Sequence, residues 1–205
     1  MHSSSPDQPQ LPYNRPITLL YAVLLTALFT LVAIAPLSRA IAQQPDDIWL
    51  MIDTKNLTLS IMEAQSILRT YHNIAIGSNG PTWEKRFKDE KTPLGDFRIT
   101  AMRSSERFHL FLPIDYPTMD DARRAQKDGR IGPGEYEALR SAWEKGKIPP
   151  QTTSLGGHLG IHGIGAGSME IHNDFNWTDG CIALTNEQVE ELAAWVTVGT
   201  RVKVR

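Results

Sequence analysis

The chain holds one cysteine, Cys181, in Trp177-Thr178-Asp179-Gly180-Cys181-Ile182, nineteen residues after His162 of Ile161-His162-Gly163. A lone thiol cannot form an internal disulfide, and in an oxidising compartment an exposed one invites oxidation or coupling to another chain. Kept with a histidine upstream in a glycine-rich context, it reads as a nucleophile rather than a structural group. Thiolate attacks carbonyl carbon well, but a free cysteine is mostly protonated at neutral pH. A neighbouring imidazole can take that proton and later hand it to a leaving amine. The developing oxyanion needs donors as well, and the backbone N–H groups of a tight turn can supply them. Asp179-Gly180-Cys181 offers such a turn, with the expected amides those of Cys181 and of one or two residues ahead of it.

Other readings of these side chains exist. Cys181 could be a small buried hydrophobe, and His162 a satisfied core histidine. Gly163 lets backbone approach beside His162, while Trp177 and His172 are candidates to line the cleft and contact substrate. His158, His162 and His172 could be imagined around zinc, yet the chain lacks H-E-x-x-H and a metal would leave the cysteine unexplained. Asp128-Gly129-x-Ile131-x-x-x-Glu135 copies the second half of a calcium loop. Arg124 and Gln126 occupy the earlier positions that need carboxylates, so calcium is not expected. Neither metal is therefore expected.

Elements that could carry these residues follow from periodicity. Ile48 to Ile52 reads as a strand ending at Asp53, a turn residue; Leu57, Leu59 and Ile61 alternate with polar neighbours, and Ile67 to Ile76 supplies a third strand before Ser78-Asn79-Gly80. Thr82 to Lys91 reads as a loop, and Phe97, Ile99 and Ala101 alternate after Pro93-Leu94-Gly95-Asp96. Thr118-Met119-Asp120-Asp121 matches a capping box opening a helix to about Asp128, and a second helix is expected from about Gly134 to Lys145. Thr185 with Gln188 caps a helix whose Val189, Leu192, Ala193 and Val196 share one face. A final strand alternates Val198, Thr200, Val202 and Val204 with solvated Arg201 and Lys203.

Composition bounds the rest. A content of 41% hydrophobic and 21% charged residues is that of a globular protein. Residues 17–35 carry no charge, follow Arg15 and precede Ala40-Ile41-Ala42, the pattern of a secretion signal or membrane anchor, so residues 1–42 are expected to be leader and the remainder exported. Removing the leader's two basic and one acidic residues leaves 19 basic and 22 acidic ones, which gives no footprint for nucleic acid. One domain is expected over 46–205.

His162-Gly163, then Thr178-Asp179-Gly180-Cys181-Ile182, a helix, and Gly199-Thr200-Arg201-Val202 resemble the YkuD-type L,D-transpeptidase catalytic domain. Its pattern is a His-Gly, a spacer in the mid-teens and Ser/Thr-x-Gly-Cys. Lys91-Thr92-Pro93-Leu94-Gly95-Asp96-Phe97 is similar to its T-P-x-G-x-[FY]. The resemblance implies a mostly β, sandwich-like fold, here with a helical hairpin inserted at about 116–147 and one helix near the C-terminus. It implies Cys181 as nucleophile, His162 as base, and Thr178, Asp179 and Gly180 shaping the turn and oxyanion site, with no metal or organic cofactor, acting on peptidoglycan stem peptides in the periplasm or cell envelope. Attack on a tetrapeptide stem releases D-alanine, and an amine of another stem or of a wall-attached protein takes the acyl group. The resemblance carries two departures: Asp179 stands where histidine is frequent, and Ala183 where Arg or Asn is common. The segment from Phe108 to Gly157 is similar to a branch that includes enzymes cutting amide links in the wall. A carboxypeptidase or amidase is therefore the alternative, and a non-catalytic wall-binding module the alternative of another class.

Overall fold

The computed structural model describes residues 48–205. The expected leader, with its apolar run over 17–35, lies outside the described residues. Among the described residues no helix is long and apolar enough to cross a membrane.

The fold is mostly β. Strand β1 (Ile48–Asp53) buries Leu50 and Ile52 and turns Trp49 and Met51 outward, the period-two pattern of a strand with one face on a core. It pairs antiparallel with β2 (Thr58–Glu63), which pairs with β3 (Ser66–His72). The Asp53 carboxylate accepts the N–H groups of Lys55 and Asn56 at 3.1 and 3.0 Å, so the first hairpin turn is stitched by its own side chain. β1 also lies parallel to the last strand, β11 (Arg201–Val204), and β6 (Gly95–Arg98) closes this five-stranded sheet in the order β3-β2-β1-β11-β6. A short parallel pair, β4 (Pro81–Thr82) and β5 (Thr92–Pro93), brackets the segment expected to be a loop.

A second sheet runs β10-β9-β8-β7, from Ile182–Leu184, Gly160–Gly163, His109–Pro113 and Arg103–Ser105. One cluster of buried side chains joins the two sheets: Leu50, Ile52, Leu59, Ile61, Phe97 and Val202 from the first, Leu112, Ile161, Ile182 and Leu184 from the second. Each such side chain contributes about 1.5–3 kcal/mol when taken from water. The third strand ends earlier than the alternation suggested. Asn73 adopts φ +57, tolerable for asparagine, and the chain then leaves β3 so that Ala75 bridges Ala183 beside the second sheet. Ile74 and Ile76 stay buried in the common core, although neither belongs to β3.

The inserted hairpin comprises α1 (Met119–Lys127) and α2 (Pro133–Glu144). Thr118 and Asp121 cap α1 reciprocally, side chain to backbone in both directions. Ala122, Ala125 and Leu139 bury into the common core. α2 starts one residue before the expected position, with Pro133 in the first turn, where the missing N–H costs nothing. Sequence periodicity gave no sign of α3 (Met169–Asp174), six residues capped by the Ser168 hydroxyl. α4 (Asn186–Ala193) has the capping box read from Thr185 and Gln188, and it packs Val189 and Leu192 against β8 and β9.

Candidate active site

β9 and β10 run parallel, with His162 opposite Ala183. Cys181 stands two residues before Ala183, and side chains alternate along a strand, so sulfur and imidazole project from one face. Both line a cleft of about 750 Å³, in the size range of small-molecule and peptide pockets. Its other walls come from Lys85, Phe87 and Glu90 of the β4–β5 segment and from Gly156, Gly157 and His158. The hairpin braces these walls from behind: the buried Arg130 guanidinium donates to the Lys85 carbonyl, and Glu135 accepts the Ser154 N–H at 2.7 Å. Asp128 pairs with Arg130, so the two acids of the half calcium loop are already engaged.

His162 is 1% exposed. Its Nδ1 lies 2.7 Å from the Gly163 carbonyl oxygen. A carbonyl only accepts, so Nδ1 carries the proton and Nε2 keeps its lone pair. Phe108 stacks on the ring at 4.1 Å between centroids, and Trp177 meets it edge-on at 5.9 Å. Burial lowers the imidazole pKa to about 4, with the positive charge of Arg107 adding to the shift and the Gly163 carbonyl opposing it.

The Cys181 thiol donates to the His158 carbonyl at 3.8 Å, and among the described residues no hydrogen bond joins it to His162. The residue is half-buried. Burial pushes its pKa up to about 11, the Asp179 carboxylate pushing the same way and the Gly160 N–H, Lys85 and Arg107 pulling it down. Thiol and imidazole therefore rest as a neutral pair near pH 7. Such a pair can support attack on a carbonyl by giving the proton to nitrogen as the carbon–sulfur bond forms.

The turn before Cys181 is pinned from three sides. Thr178 Oγ1 donates to the Cys181 carbonyl at 2.7 Å and accepts the Gly180 N–H at 3.1 Å. The Thr178 backbone is tied to Ile76 and Ser78. Thr92 Oγ1, fully buried, donates to the Gly180 carbonyl at 3.0 Å and accepts the Gly77 N–H at 2.8 Å. Gly180 has φ +126, and a Cβ there would come within 2.4 Å of the Lys91 carbonyl oxygen, so the position requires glycine. Because the Gly180 N–H is committed to Thr178, the amides of Cys181 and Asp179 are the turn's donors without a protein acceptor among the described residues.

Of the residues singled out for substrate contact, Trp177 lines the cleft; Gly163 and His172 do not. Gly163 supplies the carbonyl that orients His162, and a Cβ there would sit 2.6 Å from Asn186 Oδ1, where α4 packs close. His172 is buried on α3 and accepts the Trp177 indole N–H at 3.4 Å, so it backs the wall instead of forming it. Asp179 lines the cleft beside the sulfur. Sequence reasoning missed Phe108, Arg107 and Lys85, which no local pattern marks. Thr92 did carry a signal, the Thr-Pro-x-Gly motif, but not its role.

This fold and site define a class. The model of the L,D-transpeptidase catalytic domain, YkuD, matches residues 47–204, and the chain belongs to that family. Among solved structures it is similar to the helical cell shape determining protein Pgp2 from Campylobacter jejuni, at 21% identity and a TM-score of 0.53, over 78% of this chain and 48% of that one. Bd1075 of Bdellovibrio bacteriovorus is similar at 17% identity and a TM-score of 0.50, again over 78% and 48%. At these identities the likeness shows the fold, and the chain spans about half the length of these two structures. No curated protein matches the sequence.

Proposed function

We propose that this chain is a cell-envelope L,D-transpeptidase in which Cys181 accepts the acyl group of a peptidoglycan tetrapeptide stem. The observation that carries this reading is the placement of the only thiol and a buried imidazole, its proton held on Nδ1, on one face of a peptide-sized cleft. Sγ attacks the carbonyl carbon of the bond before the terminal D-alanine while His162 Nε2 takes the thiol proton. The tetrahedral oxyanion accepts from the Cys181 and Asp179 amides, held in place by Thr178 and Gly180. His162 then gives its proton to the leaving nitrogen, readily because burial disfavours the imidazolium. D-alanine departs, leaving a thioester on Cys181. An amine of a second stem, or of a wall-attached protein, resolves it with His162 as base. Trp177 forms the cleft wall, and neither metal nor cofactor takes part.

The family match and the fold shared with a cell-shape protein support a role in wall architecture. The experiment is to incubate the purified chain with tetrapeptide muropeptides and follow intact mass and products. An adduct on Cys181 with released D-alanine is expected, and it should vanish in Cys181→Ala; an equal yield from that variant sinks the proposal. Crosslinked dimers mean transfer to an amine, whereas trimmed stems alone mean that water resolves the thioester and the enzyme is a carboxypeptidase. A wild-type thiol that forms no adduct points to a non-catalytic wall-binding module.

A further inference from the structure

Arg107 belongs to the turn between β7 and β8. Its backbone lies tight against the segment after His162: a Cβ on Gly165 would meet the Arg107 carbonyl oxygen at 2.0 Å. The guanidinium lies 4.8 Å above the Phe108 ring, whose centroid is 4.1 Å from that of His162. Phe108 thus contacts both the guanidinium and the imidazole. Arg107 lines both the cysteine cleft and a neighbouring apolar pocket of about 460 Å³ across Phe108 and Trp177.

Charges in the cleft differ in what they are committed to. Lys85 is buried and paired with Asp89. Glu90 accepts the Ser78 hydroxyl at 2.7 Å. Lys88 sits over the Phe87 ring at 5.3 Å, on the wall formed by the β4–β5 segment. Among the described residues Arg107 makes no ion pair, and it is the uncommitted cation on the histidine's side. Its charge is felt at both reacting groups, favouring neutral His162 and easing ionisation of Cys181.

The chemistry of a terminal amide says where a cation is useful. When the scissile amide is the last in a chain, the departing residue bears a free carboxylate one carbon beyond the carbon attached to the leaving nitrogen. The group that protonates that nitrogen therefore stands beside the carboxylate, and the counter-charge must lie on its side of the cleft. A guanidinium presents a planar fork that matches a carboxylate in two parallel hydrogen bonds. We propose that Arg107 receives the free carboxylate of the leaving residue and so makes this cleft specific for substrates cut at their last peptide bond.

The inference rests on the acyl-transfer reading, so its test has two arms. In the first, a tetrapeptide donor and the same peptide with a C-terminal amide are compared on wild type, Arg107→Gln, Arg107→Lys and Lys88→Gln. Arg107→Gln is expected to lower kcat/KM for the free acid about 10- to 100-fold, mostly through KM, and to leave the amide nearly unchanged. Arg107→Lys should recover part of the loss, and Lys88→Gln should alter acid and amide by the same factor. Equal losses on acid and amide, or a Lys88 variant that reproduces the effect, overturn the proposal. The second arm needs no turnover: Cys181 is alkylated with iodoacetate and with iodoacetamide. Arg107→Gln should reduce the iodoacetate-to-iodoacetamide rate ratio about 3- to 10-fold, as removal of a nearby, partly screened positive charge requires. An unchanged ratio overturns the Arg107 site even if the acyl-transfer reading stands. A lowered ratio in a protein that turns over no stem supports the anion site and removes only that reading.

Discussion

The two halves of the site are built by different physics. Around Cys181 the chain is held by hydrogen bonds: the Thr178 and Thr92 hydroxyls bridge four backbone groups, and Gly180 allows backbones to touch. Around His162 there is one hydrogen bond, to Gly163, and the rest is aromatic surface from Phe108, Phe111 and Trp177. A turn fixed by directional bonds gives sharp positions and little tolerance. A ring fixed by stacking tolerates neighbours of similar size, but the packing also sets its basicity.

Perturbing the hydrogen-bonded half should do the most harm. Gly180→Ala places a Cβ against the Lys91 carbonyl at a φ that L side chains rarely adopt, and about 3 kcal/mol of stability should be lost together with nearly all adduct formation. Urea unfolding and intact mass measure both; a variant as stable and reactive as wild type would refute the close-approach account. Thr92→Val leaves a buried carbonyl and a buried N–H unpaired and should cost about 2–3 kcal/mol, whereas Thr92→Ser should cost less than about 1. If the two variants unfold at the same urea midpoint, the hydroxyl bridge is not what holds the turn.

The stacked half should answer through titration. The pKa of His162 is lowered in the fold, so the unfolded chain binds its proton first. Its contribution to stability is whole above about pH 6.5 and declines on acidification toward pH 4, by on the order of 3 kcal/mol. A pH series of urea midpoints should show this loss in wild type and a shallower one in His162→Gln. Phe108→Leu, which opens one face of the ring to water, should bring the imidazole back toward its ordinary value while leaving the fold intact, as NMR titration would report. A smaller effect is expected from Asp179→Asn, which removes a charge that holds the thiol protonated. Iodoacetamide labelling should quicken by about 2- to 5-fold, and unchanged labelling would discount that carboxylate.

Much of the scaffold was legible because local rules governed it. Thr118 with Asp121, Thr185 with Gln188, Asp53 at its turn and the alternation of β1, β2 and β11 all act within a few residues. Where tertiary pairing competed, local reading fell short. Asn73 ends β3 because Ala75 has a partner in Ala183, more than a hundred residues away in sequence. α3 is too short to show a period, so His172 could not be placed under Trp177 in advance. The turn's amides could be counted from sequence, but not that Thr178 would claim the one from Gly180.

The sequence by itself determined which groups are available for chemistry: one thiol, a histidine in Ile-His-Gly, a turn with glycine where backbone must approach, and a mostly β chain to hold them. Residue types and short spacings suffice for that, because they reflect local conformational preference and intrinsic reactivity. Only the tertiary structure decided that His162 is buried and neutral, that Cys181 resists ionisation, that Thr92 pins the turn, and that Phe108 joins His162 with Arg107 against it. Burial and field strength depend on what packs across space, and no spacing along the chain encodes them.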